Sequence, residues 1–107
     1  SAAYAATLKY LEIAANCLAA DAWQADYDFT RDLHKSYAEA EFLNSHFDQA
    51  ARLIALLEEN VKTNLEKAEI LLLLVVQQTI EAKYVDSLTT ARQALKLLNL
   101  DLPFCRS

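Results

Sequence analysis

Phe47-Asp48-Gln49-Ala50-Ala51 opens a helical stretch with an aromatic and places a small residue three positions later. The same opening occurs in Tyr4-Ala5-Ala6-Thr7-Leu8 and again in Tyr84-Val85-Asp86-Ser87-Leu88. Further along the three copies, Leu11, Ile54 and Ala91 align, as do Ala14, Leu57 and Ala94. The aromatics stand 43 and 37 residues apart, the spacing expected when one repeating unit is two helices and two turns. Small residues at helix crossings let backbones approach closely, and each aromatic is expected to wedge under a turn into the preceding helix. Tyr4, Leu8, Leu11, Ala14, Phe47, Ala50, Ile54, Leu57, Tyr84, Leu88, Ala91 and Ala94 are therefore the expected packing residues between helices. One helix pair cannot bury its own apolar face, so pairs stack.

Helical periodicity predicts five helices, over about 2–19, 22–45, 47–61, 64–83 and 85–99. In the first, Tyr4, Leu8, Leu11, Ala15 and Leu18 share a face. Asp21-Ala22-Trp23-Gln24 and Thr63-Asn64-Leu65-Glu66 read as capping boxes that open the second and fourth helices. The fourth is apolar almost all round from Ile70 to Val76, which predicts the centre of the structure. Asp101-Leu102-Pro103 stops the fifth, and 104–107 is a tail beyond a single domain over 1–103. A closed bundle of four or five helices is the alternative, and an odd number of helices argues against it. Helix one then reads as the second member of a pair, and the chain as an internal piece of a longer protein.

Composition narrows the function classes. The chain has 107 residues, 54% of them hydrophobic, with no Gly and one Pro, so phosphate-cradling loops and nucleophile elbows are excluded from it. A net charge of −5 without a Lys/Arg cluster lacks the counterion-release term of nucleic-acid binding, and DNA, RNA and anionic membranes are poor partners. The longest apolar run, Ile70 to Val76, is far short of a bilayer span. No secretory signal begins the chain, so a cytoplasmic location is expected. Cys17 and Cys105 fit no metal or redox spacing; Cys17 reads as an apolar filler and Cys105 as a free thiol, with a disulfide between them as the alternative.

Catalytic and metal chemistry finds little support. The acids of the second helix, Asp21, Asp26, Asp28, Asp32, Glu39 and Glu41, read as a solvated face, with nothing to single out one as a general acid. His34 reads as a half-buried polar residue and His46 as a turn residue, since no paired-histidine spacing accompanies them. No enzyme activity, cofactor or metal is expected of this chain.

Within Tyr37-Ala38-Glu39-Ala40-Glu41-Phe42-Leu43-Asn44-Ser45-His46-Phe47-Asp48-Gln49-Ala50 the chain resembles the tetratricopeptide family. Ala38, Phe47 and Ala50 fall where that pattern has small, aromatic and small residues, and Ala38 joins the expected packing set. Ser45 stands where a Gly is usual and Glu41 where an aromatic is usual. The phrases Ala3-Tyr4-Ala5-Ala6-Thr7-Leu8-Lys9-Tyr10-Leu11, Asp21-Ala22-Trp23, Ala38-Glu39-Ala40-Glu41-Phe42-Leu43 and Asn44-Ser45-His46-Phe47 are similar to the helical-repeat region of large bacterial signalling ATPases. Those chains carry kinase-like and AAA/STAND-type ATPase domains before the repeats, and often histidine-kinase domains after them. The resemblance implies an all-α, right-handed α-solenoid fragment of antiparallel helix pairs.

If the units stack as that family does, the first helix of each pair lines a concave groove. This brings Asp32, Lys35, Glu39, Phe42 and Leu43 beside Glu69, Leu72, Leu73, Val76 and Ile80. With one Lys and a stripe of aliphatics, the groove does not resemble a receptor for peptide carboxylates. The function expected is a non-catalytic protein-interaction or spacer module of a cytoplasmic bacterial signalling protein. Its partner would be a flanking repeat, a helix or peptide, or a second copy. The alternative is a free-standing helical-bundle regulator that binds a small apolar ligand or a metal.

Overall fold

A computed structural model describes residues 2–98, apart from the side chains of Ala2 and Tyr4. These residues form α1 (Ala2–Asn16), α2 (Ala22–Ala25), α3 (Tyr27–Leu43), α4 (Phe47–Asn60), α5 (Asn64–Ile80) and α6 (Tyr84–Leu97). Among the described residues there is no strand. The expected stop at Asp101-Leu102-Pro103 and the tail with Cys105 lie outside the described residues. The chain divides into two compact units, residues 1–60 and 61–107.

Six helices replace the predicted five because the second one breaks at Asp26. Asp26 has φ −146° and ψ 66°, outside the helical region, while its N–H still donates to the carbonyl of Ala22 at 2.9 Å. The same carbonyl accepts from the hydroxyl of Thr30 at 3.1 Å, and Thr30 is fully buried. A threonine side chain thus adds a second donor to that carbonyl across the interruption. Apolar spacing continues through a one-residue break, so periodicity alone does not reveal it. The capping box expected at Asp21 is not formed, since Asp21 makes no side-chain cap bond. The first helix ends at Asn16, three residues before its predicted end, as Cys17 donates to both Ile13 and Ala14 and the ladder tightens.

In the first unit α1, α2 and α4 all pack on α3. Leu33, Tyr37, Ala38, Ala40 and Phe42 are buried over a broad arc of α3, and Ala50, Leu53, Ile54 and Leu57 are buried on α4. In the second unit α5 packs along α6, with Ala68, Ile70 and Gln77 buried on one helix and Ser87, Thr90 and Ala94 on the other. The predicted centre, α5, instead leaves Leu65, Leu72, Val76 and Ile80 about half-exposed. A helix with a single closely packed partner in its unit buries one face, however apolar the others are. Its start follows expectation: Thr63 Oγ1 accepts from the N–H of Glu66 at 3.1 Å, and Glu66 Oε1 accepts from the N–H of Thr63 at 3.0 Å.

The two hairpins have one design. Helices α3 and α5 each span 17 residues and α4 and α6 each span 14, every boundary offset by 37. Both first helices end in a Schellman motif. The N–H groups of Ser45 and His46 donate to Phe42 and Glu41, and those of Ala82 and Lys83 donate to Thr79 and Gln78. The motif needs a left-handed residue, and without glycine the chain places Ser45 (φ 66°) and Ala82 (φ 62°) there.

Candidate interaction surface

The 37-residue offset lets each position on one hairpin be read against its counterpart on the other. Leu33 and Ile70, Ala40 and Gln77, Ala50 and Ser87, Leu53 and Thr90, and Leu57 and Ala94 are all buried pairs. The inward faces therefore share a register, and the second hairpin fills several of its places with small or polar groups. Thr90 Oγ1 donates to Gln78 Oε1 at 2.8 Å across α5 and α6. That bond satisfies two polar side chains where the first hairpin packs hydrocarbon from Leu53.

Of the expected packing residues, Ala38, Ala50, Ile54, Leu57 and Ala94 are buried, and Leu8, Leu11, Ala14, Phe47 and Ala91 are partly exposed. Tyr4 falls outside the described side chains. Tyr84 and Leu88 correct the expectation, since they are 62% and 63% exposed. The inward face of α6 runs through Ser87, Thr90 and Ala94, and Tyr84 and Leu88 lie about a quarter-turn or more away from it at 100° per residue.

The expected groove residues distribute over both units. On α3, Asp32, Glu39 and Leu43 are exposed and Lys35 is partly so, but Phe42 is buried and is a core residue instead. Its carbonyl closes the Schellman turn, as does that of its counterpart Thr79, but Thr79 is exposed, so the turn alone does not bury the ring. On α5, Glu69, Leu72, Val76 and Ile80 are exposed and Leu73 is partly so. Leu65, within the Thr63–Glu66 capping box, completes that outward row.

The counterparts decide what the α5 row means. Leu65, Glu69, Leu72, Val76 and Ile80 correspond to Asp28, Asp32, Lys35, Glu39 and Leu43 of α3. Hairpin packing in the first unit is thus compatible with charge at four of five places that are mostly aliphatic in the second. No protein-family model, curated protein or solved structure matches the chain. What the surface can do must therefore be argued from its chemistry.

The remaining candidates are structural. His34 is buried, its Nδ1 lies 2.7 Å from the carbonyl of Thr30, and its ring stacks on Trp23 at 5.3 Å. That contact makes Nδ1 the protonated nitrogen. Tyr27 lies against Trp23 on one side and carries the Arg31 guanidinium over its ring at 5.6 Å. His46 Nδ1 meets Glu41 Oε1 at 2.8 Å. Among the described residues no group of three His, Cys, Asp or Glu side chains is placed to hold a metal. Cys17 is an exposed free thiol, which corrects its reading as an apolar filler. A shallow hollow of about 440 Å³ in the second unit is lined by Asn64, Leu71, Gln93, Lys96 and Leu97. It joins one cation and two amides to two leucines, with no acid–base pair. None of the described helices is long and apolar enough to cross a membrane.

Proposed function

We propose that this chain is a non-catalytic protein-interaction or spacer module, built of helical hairpins of the tetratricopeptide type. Its setting is the one implied by the resemblance to bacterial signalling ATPases: a cytoplasmic segment that passes assembly or conformational state between neighbouring domains. One observation carries the reading. The outward row of α5 has Leu65, Leu72 and Val76 at places where α3, with the same length and turn, carries Asp28, Lys35 and Glu39. Half-exposed aliphatics aligned along one helix face are the pattern that a partner helix recognises.

A photo-crosslinking amino acid placed at Leu72, with one at Asp28 as the control, tests this in bacterial cells. The module reading expects protein adducts from position 72 and few from position 28. Equal yields at the two positions, or no protein adduct from 72, overturn it.

A further inference from the structure

We infer that the hollow between the start of α5 and the end of α6 receives an aromatic side chain of a partner polypeptide, with an acidic neighbour held by Lys96; this rests on the interaction-module reading and adds a second surface to it. Asn64 and Leu71 of α5 and Gln93, Lys96 and Leu97 of α6 line the hollow. Leu71 lies about 100° round the helix from its neighbour Leu72, so this is a different face from the aliphatic row.

The first hairpin shows what such a place holds. By the 37-residue offset, Asn64 and Leu71 correspond to Tyr27 and His34. One side chain from the short helix α2 covers both. The ring of Trp23 lies 5.8 Å from that of Tyr27 and stacks at 5.3 Å on that of His34, which is 7% exposed. The place 37 residues after Trp23 is Asn60, a residue of α4 whose amide donates to the carbonyl of Leu56 at 2.9 Å. The second hairpin therefore has the floor without its aromatic cover, and Asn64 is exposed and Leu71 partly so.

Charge names the neighbour of that aromatic. Lys96 stands where the first hairpin has Glu59, the one pair of counterparts along α4 and α6 at which the sign of charge reverses. It is exposed, and among the described residues it enters no ion pair. The amides of Asn64 and Gln93 beside it can each donate to a carboxylate or a backbone carbonyl. The chain's own cover has the matching composition, since Trp23 stands between Asp21 and Asp26. A small molecule fits less well, because such ligands are enclosed over most of their surface and this hollow of about 440 Å³ is shallow.

Titration of the isotope-labelled full chain with the peptide of residues 21–26, followed by amide NMR shifts, tests the proposal. The expected result is a Kd on the order of 1 mM, with shifts centred on Leu71, Gln93 and Lys96. The peptide carrying Trp23→Ala is expected not to bind. Lys96→Glu in the chain is expected to weaken binding roughly tenfold with its helical circular dichroism unchanged, and a peptide carrying Asp21→Lys and Asp26→Lys to restore it. No shifts at the hollow, equal binding of the Trp23→Ala peptide, or indifference to Lys96→Glu overturns the proposal. Indole acetate binding as tightly as the peptide would make the hollow a small-molecule site and overturn the choice of a polypeptide. Adducts from Leu72 without peptide binding would leave the module reading standing while this one fell.

Discussion

His46 Nδ1 lies 2.8 Å from Oε1 of Glu41, and the backbone N–H of His46 closes a second 2.8 Å bond to the carbonyl of the same glutamate. The Glu41 side chain is 7% exposed and that of His46 is 56% exposed. A half-exposed base thus holds a buried acid across the end of α3, on the chain reversal that starts α4. The second hairpin has Gln78 and Lys83 at these places. There the equivalent of Glu41 is a partly buried amide that accepts from the Thr90 hydroxyl.

This difference predicts unequal costs. His46→Ala strands the Glu41 carboxylate in a buried place and is expected to destabilise the first hairpin by about 1–2 kcal/mol, discounted for the exposure of the histidine. Glu41→Gln, which imports the second hairpin's solution, is expected to cost less. Urea unfolding of both variants checks the order, and a His46→Ala protein as stable as wild type contradicts the role given to the pair.

Ser45 and Ala82 sit at φ 66° and 62°, a conformation disfavoured for residues with a Cβ by about 1–2 kcal/mol. Glycine removes that penalty but gains freedom in the unfolded chain. Ser45→Gly and Ala82→Gly are each expected to stabilise by about 0.5–1 kcal/mol. Thermal unfolding reads the effect, and a loss at either site would mean the side chain contributes something the turn geometry does not show.

Burial pushes the Tyr37 phenol above its ordinary pKa of 10.0, the charge of Glu41 adds to the rise, a hydrogen bond with Gln49 opposes it, and Glu12 adds further. The folded chain therefore keeps a proton that the unfolded chain releases. The stability linked to Tyr37 is fully present below pH 10.0 and falls as pH rises from there through the folded pKa. Tyr37→Phe should flatten this alkaline loss without changing its counterpart below neutrality. Denaturant midpoints measured across the alkaline range for both proteins test it; identical slopes would sink the assignment.

The helical class, the capping box at Thr63 and the alignment of Ile54 with Ala91 and Leu57 with Ala94 were legible because each rests on local spacing. The break at Asp26 was not, since apolar spacing runs on through a one-residue interruption and Thr30 reads as ordinary helix. Nor was the exposure of Tyr84, because an aromatic at a helix start reads the same whether or not a neighbour covers it. Phe42 lies in the core and not on the groove, because three helices pack on α3 and cover more of it than one helix pair would. The aliphatic row on α5 was legible as apolar, but its outward direction depends on which face α6 takes, and periodicity in a run from Ile70 to Val76 carries no phase.

The account turns on the α5 row lying outside the core, and the unfolding free energy of Leu72→Asp in dilute solution tests this most directly. A surface position predicts a loss below about 1 kcal/mol. A loss of about 3 kcal/mol or more, the size expected of core damage, would show that Leu72 is packed within the fold and would contradict the account.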